Sequence, residues 1–126
     1  MRLTERVKEI IEMNVANHYI PLIVQGDRAC AFPVYFARIM KENLIAIPVT
    51  GATGIDEALK EETPAMAMVV DRAGGYEAYL LQGTARHLTR DQDYRLVTAM
   101  KNEVPGFPIH SAVIFRVESV RLVPPP

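Results

Sequence analysis

The chain has one cysteine, no long apolar run and no excess of basic charge, and each shortage excludes a class of protein. Because Cys30 has no second cysteine to join, an intrachain disulfide is impossible, which is typical of a reducing compartment. No uncharged apolar stretch reaches about 18 residues, so we expect no membrane-spanning helix. With a net charge of −1, the 126 residues lack the basic surface that nucleic-acid binding requires.

Signals for export, metal binding and nucleophilic catalysis are scarce as well. The first residues, MRLTERVKEIIEMN, contain no apolar core of a cleavable signal, so we expect a cytoplasmic protein. The histidines His18, His87 and His110 are far apart and show no spacing of paired metal ligands, so we expect no metal site. Cys30 lies in an apolar segment, where a small buried hydrophobe is the simpler interpretation.

Six stretches of the chain have the apolar pattern of strands. Short turns join most of them, which favours antiparallel pairing, and closure into a small barrel would remove exposed edges. An amphipathic helix precedes them, and one or two further helices lie among them. We therefore predict a mainly β chain with α elements (α+β), with strands over 19–24, 29–32, 44–49, 65–70, 76–88 and 111–122. Pro33 interrupts the second strand, which can resume over 34–40.

Two features of the longer strands predict an irregularity in their pairing. Gly83 interrupts the fifth strand, where a glycine often marks a bulge. In the last strand the apolar positions shift from odd numbers, ending at Val117, to even numbers, starting at Val120. Because side chains alternate between the two faces of a strand, this shift implies a register change.

The turn after the third strand is the most informative motif. The segment NLIAIPVTGATGIDEAL passes from a strand into Thr50-Gly51-Ala52-Thr53-Gly54 and then into a short helix pattern. Open backbone N–H groups, two threonine hydroxyls and a helix start can together hold a phosphate. Between Asn43 and Ala58 there is no lysine or arginine. A plain strand-to-helix connector explains the same residues about as well.

The order of these motifs resembles that of the pyridoxamine 5'-phosphate oxidase-like FMN-binding split-barrel family, most of all its small bacterial FMN-binding members. The similar segments are LTERVKEIIE, YIPLIVQGDRACAFPV, NLIAIPV, GIDEALKEETPAMAMVVD and GYEAYLLQGTARHL, which together cover most of the chain. The resemblance implies a single FMN-binding split-barrel domain over residues 1–126, with a six-stranded antiparallel split β-barrel flanked by two or three helices.

The same resemblance implies a homodimer with FMN in a groove between the subunits. Pro33 and Val34 would line the flavin ring, and the phosphate would lie at the turn formed by Val49, Thr50, Gly51, Thr53 and Gly54. The family's usual Lys or Arg followed by Ser or Thr is replaced by Gly54 and Ile55. A cation from elsewhere, with Arg38 and Lys60 as candidates, would then face the phosphate. His110 and Phe107 lie where the groove would meet the partner subunit.

Two functions are compatible with these residues. The first is an FMN-binding flavoprotein, a possible oxidoreductase or electron-transfer protein, since no acid, base or nucleophile set accompanies the turn. Its catalytic residues, substrate and redox partner are not indicated by the sequence. The second is a non-enzymatic relative with a degenerate cofactor groove, which binds another small ligand or a protein. The missing cation at Gly54 supports this second function.

Restoring the cation tests whether the turn is the phosphate site. We expect Gly54→Lys to tighten FMN binding by roughly one to two decades, because a charge-assisted contact contributes about 1.5–3 kcal/mol. Quenching of FMN fluorescence on titration with the protein measures the affinity. An affinity equal to that of the unchanged chain would contradict this placement.

Overall fold

The architecture comes from a computed structural model, which describes residues 1–49, 58–59, 62–73, 76–89, 93–103, 106 and 108–124. The described chain is mainly β with two helices, as predicted. Its elements in chain order are α1 Glu5–Asn17, β1 Ile20–Gln25, β2 Ala29–Val34, β3 Arg38–Ile39, β4 Leu44–Val49, β5 Thr63–Asp71, β6 Glu77–Thr89, α2 Tyr94–Glu103 and β7 Ser111–Val123.

The described residues form a sheet of seven strands, so the prediction of six is wrong by one. The additional strand is β3, whose two residues pair with Ala46 and Ile45 of β4. It lies within 34–40, where the sequence lets the second strand resume, but it pairs with β4 and is a separate strand. A predicted short helix over 55–62 falls largely outside the described residues.

All neighbouring strands are antiparallel, in the order β2-β1-β5-β6-β7-β4-β3. In this order β2 and β3 are the two outermost strands, and no ladder joins them among the described residues. The predicted closure into a barrel is therefore not found in this part of the chain. These two ends are nevertheless joined by only three residues, Tyr35–Ala37. We call the place where the two ends of the sheet meet the seam.

The short connection across the seam requires a rolled sheet. Four peptide steps place the Cα atoms of Val34 and Arg38 at most about 15 Å apart. A flat sheet of seven strands would separate its outermost strands by about 29 Å. The sheet therefore curls, and its inner face encloses one core with residues from β1, β2, β4, β5, β6 and β7.

Helix α1 packs into this inner core. Thr4 caps the helix, because its Oγ1 accepts a hydrogen bond from the Val7 N–H at 3.2 Å. Val7, Ile10 and Ile11 recur at helical spacing and are buried. Asn14, also buried, joins the helix to the sheet, since its side chain bonds both the N–H and the C=O of Val70 in β5.

The predicted register change is confirmed. The β6–β7 ladder shifts at Gln82/Gly83, where Gln82 pairs with Ser119 and Gly83 with Val117, so that Glu118 is the extra residue. Asn43 supports the bulge, because its side-chain amide donates to the Val117 carbonyl at 2.8 Å. A glycine is required opposite the bulge, since a Cβ at Gly83 would lie 1.8 Å from the Arg116 carbonyl oxygen.

We expect Gly83→Ala to lower the free energy of unfolding by roughly 2–4 kcal/mol, because backbone atoms cannot move aside for the methyl group. Gly26→Ala is the matched control, since a Cβ there would lie 3.5 Å from its nearest neighbour, the Ala58 carbonyl oxygen. Urea unfolding of both variants measures the difference. Equal stability of the two variants would contradict the close approach at Gly83.

Candidate functional site

The rolled sheet has an outer face that is only partly covered. Over β4, β6 and β7 it is covered by Ile109 and by Val97 and Met100 of helix α2. These residues form a second apolar cluster with strand residues Ala46, Leu88, Ala112 and Ile114. Over β1, β2 and β5, large apolar side chains remain exposed. We call this second region the outer apolar face; it consists of Tyr19, Pro21, Ile23, Ala31, Pro33, Tyr35, Met66 and Met68.

Cross-strand pairs build the outer apolar face. Pro21 lies opposite Pro33, and Ile23 lies between Ala31 of β2 and Met66 of β5. Beyond the proline pair, the rings of Tyr19 and Tyr35 are 5.9 Å apart and tilted by 53°. Both tyrosines are about half exposed, at 48% and 55%. Such a surface of tyrosine, proline and methionine suits a planar apolar ligand or a protein partner.

The structure separates the predicted cofactor residues that it describes. Pro33 lies on the outer apolar face, where its side chain is accessible. Val34, 5% exposed, and Val49, 7% exposed, instead belong to the inner core, so their side chains are turned away from that face. Thr50, Gly51, Thr53 and Gly54 lie outside the described residues, as do Ile55, Lys60 and Phe107.

Polar groups gather at the end of β4, directly before the predicted phosphate turn. Val49 pairs with Ser111 in β7, and its carbonyl accepts a hydrogen bond from the His110 N–H at 3.2 Å. The Ser111 hydroxyl lies 2.7 Å from Nε2 of His87. His110 is therefore fixed through its backbone beside β4, and its imidazole is exposed.

The His87–Ser111 pair was not predicted from the sequence. The two residues are 24 positions apart, and only the β6–β7 ladder, which places Thr89 opposite Ser111 and His87 opposite Val113, brings their side chains together. The sequence signal for the contact is weak: His87 lies two residues before the end of one strand, and Ser111 begins the next strand.

Arg38, one of the two candidate cations, is exposed on β3 opposite Ala46. Val49 is three residues further along β4, a distance of about 10 Å. A role of Arg38 toward a ligand phosphate near the end of β4 stays a prediction.

A second group of charges lies where α1 meets the β5–β6 hairpin. The Arg6 guanidinium bonds both Asp71 and Glu77, the latter at 2.9 Å, and the Tyr79 hydroxyl donates to Glu77 at 2.5 Å. Hydrogen bonds from the Ala73 N–H and Arg6 lower the pKa of Asp71, and those from Arg6 and Tyr79 lower the pKa of Glu77. Every member has a partner within the group, which indicates a structural clasp.

The described residues also bear on metal binding and on membrane insertion. No group of three or more histidine, cysteine, aspartate or glutamate side chains there is arranged to hold a metal ion. None of the helices in this part of the chain has the length and apolar character to cross a membrane.

Comparison with known proteins finds similarity in structure rather than in sequence. No protein-family model matches the chain, and no curated protein matches it. The structure of HupZ from Group A Streptococcus is similar, with a TM-score of 0.76 at 15% identity, over 96% of this chain and 94% of that one.

Two further structures carry descriptions of function. A candidate pyridoxamine 5'-phosphate oxidase from Lactobacillus delbrueckii has a TM-score of 0.69 at 18% identity, over 95% of this chain and 93% of that one. An FMN-binding protein from Syntrophomonas wolfei has a TM-score of 0.57 at 14% identity, over 94% and 89%. The chain shares the fold of these proteins. The predicted resemblance to pyridoxamine 5'-phosphate oxidase-like and FMN-binding proteins is thus confirmed for the fold.

We expect acid to weaken the clasp. Because the pKa values of Asp71 and Glu77 are lowered in the folded chain, the clasp is complete above the unfolded values of about 3.9 and 4.3 and is lost as the pH falls further. Arg6→Met should lower the melting temperature at neutral pH and flatten its decline below about pH 4. Arg28→Met, in the exposed β1–β2 turn, is the control, and an equal decline in both variants would contradict this role.

Proposed function

We propose that the chain is a flavoprotein that binds FMN at the interface of a homodimer. The observation that carries the proposal is the outer apolar face, which combines exposed tyrosines, prolines and methionines on a fold shared with FMN-binding and oxidase-like proteins. Scattered apolar residues are normal on a protein surface, whereas a contiguous patch of this kind marks a binding site.

The described residues fit part of a flavin. Pro33 and the Tyr19–Tyr35 pair offer flat apolar surfaces to an aromatic ring. Val34 and Val49 would contribute backbone groups only, because their side chains are in the core. Thr50, Gly51, Thr53 and Gly54 would hold the phosphate through backbone N–H groups and hydroxyls, with Arg38 as the candidate cation.

A homodimer would explain why so much apolar surface is exposed. The outer apolar face carries no charged side chain, and β2 beside it is an edge strand without charge from Ala29 to Phe36. Proteins usually protect free edges with charges or by covering them. A second copy of the chain would cover the outer apolar face and the edge of β2, with a flavin held between the two subunits. The bound flavin would supply redox chemistry, and the protein would position it and exclude water.

The alternative is a relative with a degenerate groove that binds another small ligand or a protein. One observation favours it, since two of the three predicted groove residues that are described, Val34 and Val49, have their side chains in the core. Under this alternative the outer apolar face would still bind a partner, but FMN would not bind tightly.

Titration of the purified protein with FMN separates the two functions. We expect quenching of flavin fluorescence with one FMN per subunit, and a dimer in sedimentation equilibrium. Tyr35→Ser should weaken binding about three- to tenfold, because an aromatic contact contributes about 0.5–1.5 kcal/mol. Tyr76→Ser, which removes an equally exposed tyrosine from the β5–β6 turn, should leave the affinity unchanged.

A protein that quenches no flavin fluorescence at micromolar concentration would contradict flavin binding and favour the degenerate groove. If the protein is a monomer and binds one FMN per chain, flavin binding stands and only its location at a dimer interface is contradicted. Equal effects of the two tyrosine variants would remove the outer apolar face from the flavin site.

A further inference from the structure

A small cavity lies inside the rolled sheet, next to the seam. Val34 lines it from β2, Ala37 from the connection across the seam, Ile45 and Ile47 from β4, and Ala67 and Phe115 from β5 and β7. About 20 Å³ of it is open to the centre of a water-sized sphere. It is separate from the outer apolar face, because these side chains point to the opposite face of the sheet.

The described residues that line the cavity are all hydrophobic. A buried water needs two to four polar partners, and these side chains supply none. Apolar cavities of this kind stay dry and take up apolar guests such as xenon.

Two small residues maintain the cavity. Ala67 lies in the centre of the sheet and pairs with both Leu22 and Leu81, so its backbone cannot move inward to fill the space. Ala37 belongs to the connection between the sheet ends, whose path is set by β2 and β3. A larger side chain at either position would occupy the cavity, and collapse is resisted by the surrounding ladders.

We propose that this cavity is a binding site for a small apolar gas molecule of the size of dioxygen or xenon. The small volume favours a monatomic or diatomic guest. Dispersion contacts with the surrounding methyl groups would supply the attraction, since an empty cavity leaves those groups without partners on one side.

Xenon is the probe that tests the site, and flavin is not needed for it. In methyl-resolved NMR spectra recorded under xenon pressure, we expect saturable shifts of the Ile45 and Ile47 methyl signals. Ile10 is an internal control, because it is fully buried in the same core but does not line the cavity. Dissolved dioxygen should enhance the relaxation of the same two isoleucine signals more than that of Ile10.

Matched variants locate the site. Ala67→Val should reduce the xenon affinity at least tenfold by filling the cavity. Ala65→Val, two residues away on the same buried face, should retain the response because Ala65 does not line the cavity. Ala37→Val, at a half-buried position of the connection, serves as a second filling variant should Ala67→Val not fold.

Unchanged Ile45 and Ile47 signals under xenon would overturn the proposal, as would equal responses of Ile10 and the lining residues. Retention of the full response in both filling variants would place the guest elsewhere.

Discussion

The three-residue connection from β2 to β3 is the constraint on which the remaining structure depends. It joins the two ends of a seven-stranded sheet, and so short a connection is possible only if the sheet is rolled. Rolling creates an inside, where α1 and six strands share one core, and an outside that needs other partners. A bulge bends its strand, and β7 approaches β6 at Gly83 more closely than any side chain would allow.

The outside of the sheet is divided between two kinds of cover. Helix α2 and Ile109 cover the β4, β6 and β7 portion within the chain itself. The β1, β2 and β5 portion keeps tyrosine, proline and methionine side chains exposed, and this is the surface for which we propose a flavin and a second subunit. The Arg6 clasp has a different task, since it joins α1 to the β5–β6 hairpin.

The candidate site could be predicted from the sequence only in part. The resemblance to split-barrel proteins indicated Pro33 and Val34, but neighbouring residues of a strand point to opposite faces, so only Pro33 reaches the outer apolar face. The tyrosine pair went unnoticed because Tyr19 and Tyr35 lie just beyond their strands and meet through the β1–β2 register. The His87–Ser111 contact likewise required the β6–β7 ladder.

Features that depend on neighbouring residues could be predicted from the sequence. Apolar alternation located six of the seven described strands, Gly83 and the parity shift located the bulge, and amphipathic periodicity placed a helix before the first strand. Contacts between distant residues arise only in the folded chain. Arg6 meets Asp71 and Glu77 across 65 and 71 positions, and the two residues of β3 become a strand only beside β4. Local patterns report the preferences of single segments, whereas faces, cavities and seams arise when segments pack against one another.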